Sequence, residues 1–293
     1  MGCMPSKKSQ MEIIVPPQET PTPDSPTPTG EDGMGRLLPS SKKPPTMDEA
    51  RESDEVRNPR LSIRYQAKEL SARGSQGRRS STPFDRARIG THTRHGLMPG
   101  PRGFSAAKIN QDRGVVCWPF NGSYNQALFC VFDGHGSKGE RASEFCMKTV
   151  PELLEADSEQ LKIDIEGCLS KNICKTDELL FAHPELGKLA MTCGTTSTVL
   201  YMHGSDIYTA CSGDSRAVKG IRKGGKIEAE DLSYDHKPDL PEERARIVSR
   251  GGTVSDGCAG RPARVWAHGR IGLAMSRSIG DGECKSVGVI PDP

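Results

Sequence analysis

The chain has 293 residues, 34% of them hydrophobic and 5% aromatic, with 40 Lys and Arg against 38 Asp and Glu for a formal net charge of +2. That length allows one medium domain plus a tail, and the near-balanced charge excludes no class of partner. What the sequence does exclude is a helical membrane span, since no apolar run approaches the roughly 20 residues needed, and no cleavable signal sequence opens the chain.

The N-terminus Met1-Gly2-Cys3-Met4-Pro5-Ser6 fits the myristoylation pattern, with Gly2 exposed after methionine removal. The adjacent Cys3 reads as a palmitoylation site, and Lys7 and Lys8 follow. One myristoyl chain binds a membrane only marginally, whereas two chains, or one chain plus basic residues, anchor stably. The expectation is a cytoplasmic protein held peripherally on the inner face of a membrane.

Pro16, Pro17, Pro21, Pro23, Pro26 and Pro28 then alternate with Thr and Ser, and Arg57 to Arg102 is basic and poor in large apolar residues. Such composition buries too little surface to offset chain entropy, so residues 1–100 read as a disordered tail, with a short helix over Ile63 to Leu70. Arg73, Arg78, Arg79, Arg86 and Arg88 lack interleaved aromatics for base stacking, so no nucleic-acid partner is expected. Arg78-Arg79-Ser80-Ser81-Thr82 resembles a basophilic kinase site.

Residues 101–293 read as a folded domain. Lys108-Ile109-Asn110-Gln111-Asp112-Arg113 brings one carboxylate ahead of the apolar Val115-Val116-Cys117-Trp118, and the apolar strand Ala127 to Phe132 ends in Asp133-Gly134-His135-Gly136. A strand ending this way places a metal-ligating carboxylate and a proton donor on a turn that backbone can approach closely. The same residues also suit a turn that caps the following helix.

Glu159 to Phe181 carries Leu161, Ile165, Leu169 and Ile173 on one helical face. Thr195 to Met202 with Ile207 to Cys211 reads as a hairpin, and Arg216 to Arg222 with Lys226 to Leu232 reads as another across Lys223-Gly224-Gly225. Pro241 opens a helix that Gly251-Gly252 closes. Cys117, Cys130, Cys146, Cys168, Cys193 and Cys211 lie in apolar contexts and read as reduced core residues. His203 and His268, near turns, read as solvent-facing. Cys258 to Arg264 has the Cys-x5-Arg spacing of thiol phosphatases, but no histidine precedes it and no apolar strand leads in.

Further segments complete a series: Gly194-Thr195-Thr196-Ser197, Ala210 to Val218 containing Gly213-Asp214-Ser215-Arg216, Asp235-His236-Lys237-Pro238, and Gly272 to Asp281. With the Asn-Gln-Asp and Asp-Gly-His-Gly segments, they resemble the ordered motifs of the metal-dependent serine/threonine protein phosphatases, the PPM or type 2C family, over about residues 100 to 293. The resemblance implies an α+β fold, a four-layer α-β-β-α sandwich of mostly antiparallel sheets. It implies two Mg²⁺ or Mn²⁺ ions, with a third weaker site, activating water against phosphoserine or phosphothreonine in phosphoprotein substrates.

On that resemblance Asp133 bridges both ions, Gly134 contributes its carbonyl, Asp112 acts on metal or metal-bound water, and Asp214 serves the third site. His135 is the general acid for the departing alkoxide. Where many members carry an arginine to grip phosphate, this chain has Ala107, followed by Lys108. Lys108 or Arg113 is left to bind phosphate, a lysine doing so without arginine's bidentate fork.

Members also continue beyond the point matching Pro293, through Asp-Gly and Asp-Asn metal motifs. The expectation is therefore a chain truncated at the C-terminus, with part of the metal site present. The alternative is a noncatalytic pseudophosphatase, a phosphoprotein-binding module held at the membrane.

Overall fold

The structure is a computed structural model that describes residues 63–66, 89–94, 96–99, 105–258, 260–269 and 271–293. Gly2, Cys3, the proline-rich stretch and Ser80 to Thr82 lie outside the described residues.

Strands β1 (Ile63–Gln66), β2 (Leu97–Pro99), β3 (Ser105–Ala107), β4 (Asp112–Cys117) and β5 (Gln126–His135) come first. Helices α1 (Gly139–Ala156), α2 (Ser158–Ile163) and α3 (Ile165–Ala182) follow, and then strands β6 (Gly194–Thr195), β7 (Ser197–His203) and β8 (Asp206–Ser212). The rest comprises β9 (Val218–Lys223), β10 (Lys226–Asp231), α4 (Pro241–Ser249), β11 (Thr253–Ser255), β12 (Arg264–Ala267), β13 (Ile271–Leu273), β14 (Ile279–Gly280) and α5 (Gly282–Lys285).

The main sheet has seven strands: β1-β4-β5-β7-β8 run side by side, and β6 and β14 extend the sheet from the far end of β5. All its pairings are antiparallel except β1 with β4. The mixed α/β character with antiparallel sheets is the expected one. Ile63–Gln66 differs from expectation: it is a strand, not the start of a helix, because the edge of β4 offers a ladder of unpaired backbone groups that an Ile- and Tyr-containing segment can satisfy.

Alternation along β5 sets everything that follows. Leu128, Cys130 and Phe132 point into the core, where they meet Val115 and Cys117 of β4, Cys146, Val150 and Leu154 of α1, and Leu169 and Ile173 of α3. The intervening Phe129, Val131 and Asp133 face the other side, and Val131 is 52% exposed. Helix α1 lies across β4 and β5, with α3 alongside.

The helix expected over Glu159 to Phe181 is broken at Asp164, whose extended backbone starts α3 and whose Oδ1 accepts from Gly167 N–H at 2.9 Å. Both hairpins form as the sequence suggests. In the β9–β10 turn Gly224 and Gly225 take φ of +56° and +82°, the double left-handed geometry that matches strand twist. Helix α4 starts at Pro241 and ends before Gly251, at φ +82°. The six cysteines read as core are buried free thiols, and His203 and His268 are exposed.

Candidate active site

Register brings the first carboxylates together. Asp112, at the start of β4, is the cross-strand partner of Asp133, near the end of β5, so both side chains share the face away from the helices. Both are exposed, and their carboxyls come within hydrogen-bonding reach of one another. Partial desolvation, then the Asp112 charge beside it, raises the Asp133 carboxyl to about 6, with Asp214 adding to the rise and His135 opposing it.

The backbone around this pair is tied down. Asp133 N–H donates to Thr196 Oγ1 at 2.9 Å, Thr196 N–H donates back to Asp133 O at 3.0 Å, and Thr196 is fully buried. Gln111 Nε2 donates to Gly136 O at 2.8 Å, while Gly134 N–H and Ser143 Oγ donate to Gln111 O. The loop before β4 is thus laced to the turn after β5, which holds the two carboxylates side by side.

The two phosphate-binding candidates part company. Arg113 lies opposite Phe132, on the core side of β4, and is 2% exposed; its guanidinium donates to Asn110 O and Asp112 O and approaches Glu144 at 3.9 Å. A side chain held there cannot reach a substrate phosphate, which corrects that half of the expectation. Lys108 is exposed, in the segment leading into Asp112 and β4.

His135 sits at the last residue of β5, and its Nε2 is 2.7 Å from Asp281 Oδ2. Burial works against the charged imidazole, but the Asp281 carboxylate outweighs it, and the ring titrates above its ordinary value. Asp214, beyond β8, contributes to the fields at both Asp133 and His135, so it looks into the same region. Its carboxylate is paired with Lys237 Nζ at 2.5 Å, a cation the sequence did not single out for this place.

Among the described residues, no group of three or more His, Cys, Asp and Glu side chains forms a ready-made metal cage. The donor set nonetheless fits a hard divalent ion: two adjacent carboxylates crowd their negative charge, and oxygen ligands of that kind are what Mg²⁺ and Mn²⁺ take. Asp112 and Asp133 are the carboxylates that could hold one.

The thiol motif is not assembled for catalysis. Arg264, within β12, donates from Nη1 to Gly272 O at 2.6 Å, and Cys258 forms an isolated bridge with Arg261. That arginine is spent on a backbone carbonyl.

A family model described as "Protein phosphatase 2C" matches residues 100–293. Among similar proteins, "Probable protein phosphatase 2C 35" of Arabidopsis thaliana is 33% identical over 210 residues, covering 64% of this chain and 59% of that protein. "Protein phosphatase 1K, mitochondrial" of Xenopus laevis is 38% identical over 168 residues, covering 56% and 42%. The chain thus spans about half the length of these curated relatives. A crystal structure of a serine-threonine phosphatase 2C from Toxoplasma gondii shares the fold, with a TM-score of 0.55, 23% identity, and coverage of 68% of this chain and 70% of that one.

Proposed function

The chain belongs to the protein phosphatase 2C family, and from that membership we propose that it hydrolyses phosphoserine and phosphothreonine in proteins with the help of Mg²⁺ or Mn²⁺. The observation that carries this reading is the Asp112–Asp133 pair, two exposed carboxylates held in register at adjoining strand ends. When bound, such ions lower the pKa of water, neutralise phosphate charge and orient an in-line displacement.

The chain's own residues supply the rest. Asp133 and Asp112, with the Gly134 carbonyl, would hold the ions. Lys108 offers a point charge to the phosphate. His135 is the proton donor to the leaving oxygen, and Asp214, neutralised by Lys237 in this arrangement, is the candidate for a third and weaker cation. On the pattern of Met1 to Ser6 alone, acyl chains on Gly2 and Cys3 hold the enzyme at the inner face of a membrane. Palmitate released by hydroxylamine from the wild type but absent from Cys3→Ser is the expected sign of the second chain, and release unchanged in Cys3→Ser contradicts it.

The enzymatic reading is tested by phosphate release from a phosphothreonine peptide in Mn²⁺. Release that stops on addition of a chelator and continues after thiol alkylation is expected. Binding of the phosphopeptide without turnover, by a folded chain, would instead mark a noncatalytic module.

A further inference from the structure

His135 and Asp281 are 146 positions apart and meet through β5 and the two short strands β6 and β14. His135 pairs with Gly194 of β6, and Gly194 pairs with Gly280 of β14, so Asp281 emerges directly beside the imidazole. The place is built for a carboxylate. Asp281 is 4% exposed, its backbone takes the left-handed φ of 57° that non-glycine residues seldom adopt, and its N–H donates to Cys193 O at 3.0 Å. Gly194 leaves the room: a Cβ there would collide with the Asp281 carboxyl group. Ser278 Oγ donates to Asp281 Oδ2 at 2.6 Å, and the ion-pair partner of Asp281 among the described residues is His135.

Resting on the phosphatase reading above, we propose that Asp281 is the positioning residue for His135, accepting the Nε2 proton and so fixing the tautomer and orientation in which the ring serves the leaving oxygen. Acid catalysis by an imidazole needs one nitrogen committed and the other available, the arrangement a carboxylate imposes in hydrolase triads. Here Nε2 is committed to Asp281, and the enclosed Nδ1 has no hydrogen-bond partner among the described residues. A buried polar atom left so calls for a partner that binding supplies. As the P–O bond to the serine or threonine breaks, its electron pair stays on the departing oxygen, which takes the Nδ1 proton directly or through one water. The ring is left neutral, with its remaining proton on Nε2 against Asp281.

The test compares two leaving groups with the full chain in Mn²⁺. A phosphothreonine peptide expels an alkoxide that needs protonation, whereas p-nitrophenyl phosphate expels a stable phenolate. Asp281→Asn should lower peptide turnover by about 100-fold and aryl phosphate turnover by about 10-fold or less, with partial recovery of the peptide rate in Asp281→Glu. Equal losses on both substrates in a folded variant make Asp281 a structural residue only and overturn the proposal. An independent reading comes from ¹⁵N NMR of the histidine rings. The wild-type His135 should carry its proton on Nε2, and its ring signals should move in Asp281→Asn; a ring protonated on Nδ1 alone, or signals unmoved by the substitution, overturns it as well. A wild type that turns over neither substrate contradicts the phosphatase reading, and the ring signals still decide the role of Asp281.

Discussion

Asp133→Asn is expected to lower Mn²⁺-dependent phosphate release by more than about 100-fold, the upper end of what losing a mere supporting partner of a metal ligand costs. The same change should raise the melting temperature of the metal-free protein. The carboxyl of Asp133 is raised from 3.8 to about 6 by partial desolvation and then by Asp112. A carboxyl raised in the folded state binds its proton more tightly there than in the unfolded chain, so folding stability declines as pH rises from 3.8 to about 6. Above that window the whole penalty is present, and at pH 7 the amide removes it. Function and stability therefore move in opposite directions at one atom pair, as expected where like charges are kept together for a cation. Differential scanning fluorimetry in chelator, at pH 5 and pH 7, reads the effect; a variant that melts lower than the wild type at pH 7 contradicts it.

Glu243→Ala is expected to destabilise the fold by about 3 kcal/mol, the lower end of the cost of breaking a buried ion pair, since Arg246 and Arg277 are only half-buried. Glu243 is 3% exposed on the first turn of α4. Its carboxylate receives Arg246 at 2.6 and 2.5 Å, Arg277 Nη2 at 2.8 Å and the buried Ser276 hydroxyl. Burial alone would raise its pKa, but these donors prevail and hold the carboxyl down at about 2. A depressed carboxyl contributes stability that is complete above its unfolded value of about 4.5 and is lost as pH falls towards 2. Chemical denaturation of wild type and Glu243→Ala at pH 7 and at pH 2.5 should show the difference shrinking in acid. A difference that persists undiminished in acid rules out the charge as its source.

This cluster also bears on the active site. Arg277 and Ser276 belong to the segment that leads through Ser278 to Asp281, and Ser276 N–H donates to His236 O at 2.9 Å. His236 is half-buried beside Arg277, and desolvation and then that charge push its imidazole down to about 4, so it adds no charge near the guanidinium at neutral pH. Loss of Glu243 would loosen the strand end that presents Asp281 to His135.

Much of this was legible in the residues. The ordered motifs pointed to the family, the glycines at 224 and 225 marked a tight hairpin, and Pro241 with Gly251 bracketed a helix. What escaped was parity and long-range contact. Ala127 to Phe132 is apolar throughout, so its pattern does not say which residues face the helices, and only the register shows Arg113 on the core side and Asp112 on the open one. The break at Asp164 was concealed because the apolar stripe continues through it, although an aspartate three residues ahead of Gly167 is a cap signal. Asp281 stood in plain view within Ser-Ile-Gly-Asp, but its meeting with His135 depends on β6 lying between two distant segments. Lys237 likewise sits in a segment recognised by its order, while its pairing with Asp214 comes from tertiary structure.

Direct titration of the chain with Mn²⁺, following free Mn²⁺ by electron paramagnetic resonance, tests whether the Asp112–Asp133 pair is a cation site. The wild type should bind the ion and melt higher in its presence, and the Asp112→Asn, Asp133→Asn double variant should do neither while remaining folded. Equal Mn²⁺ binding by both proteins would contradict the assignment of these two carboxylates as metal ligands.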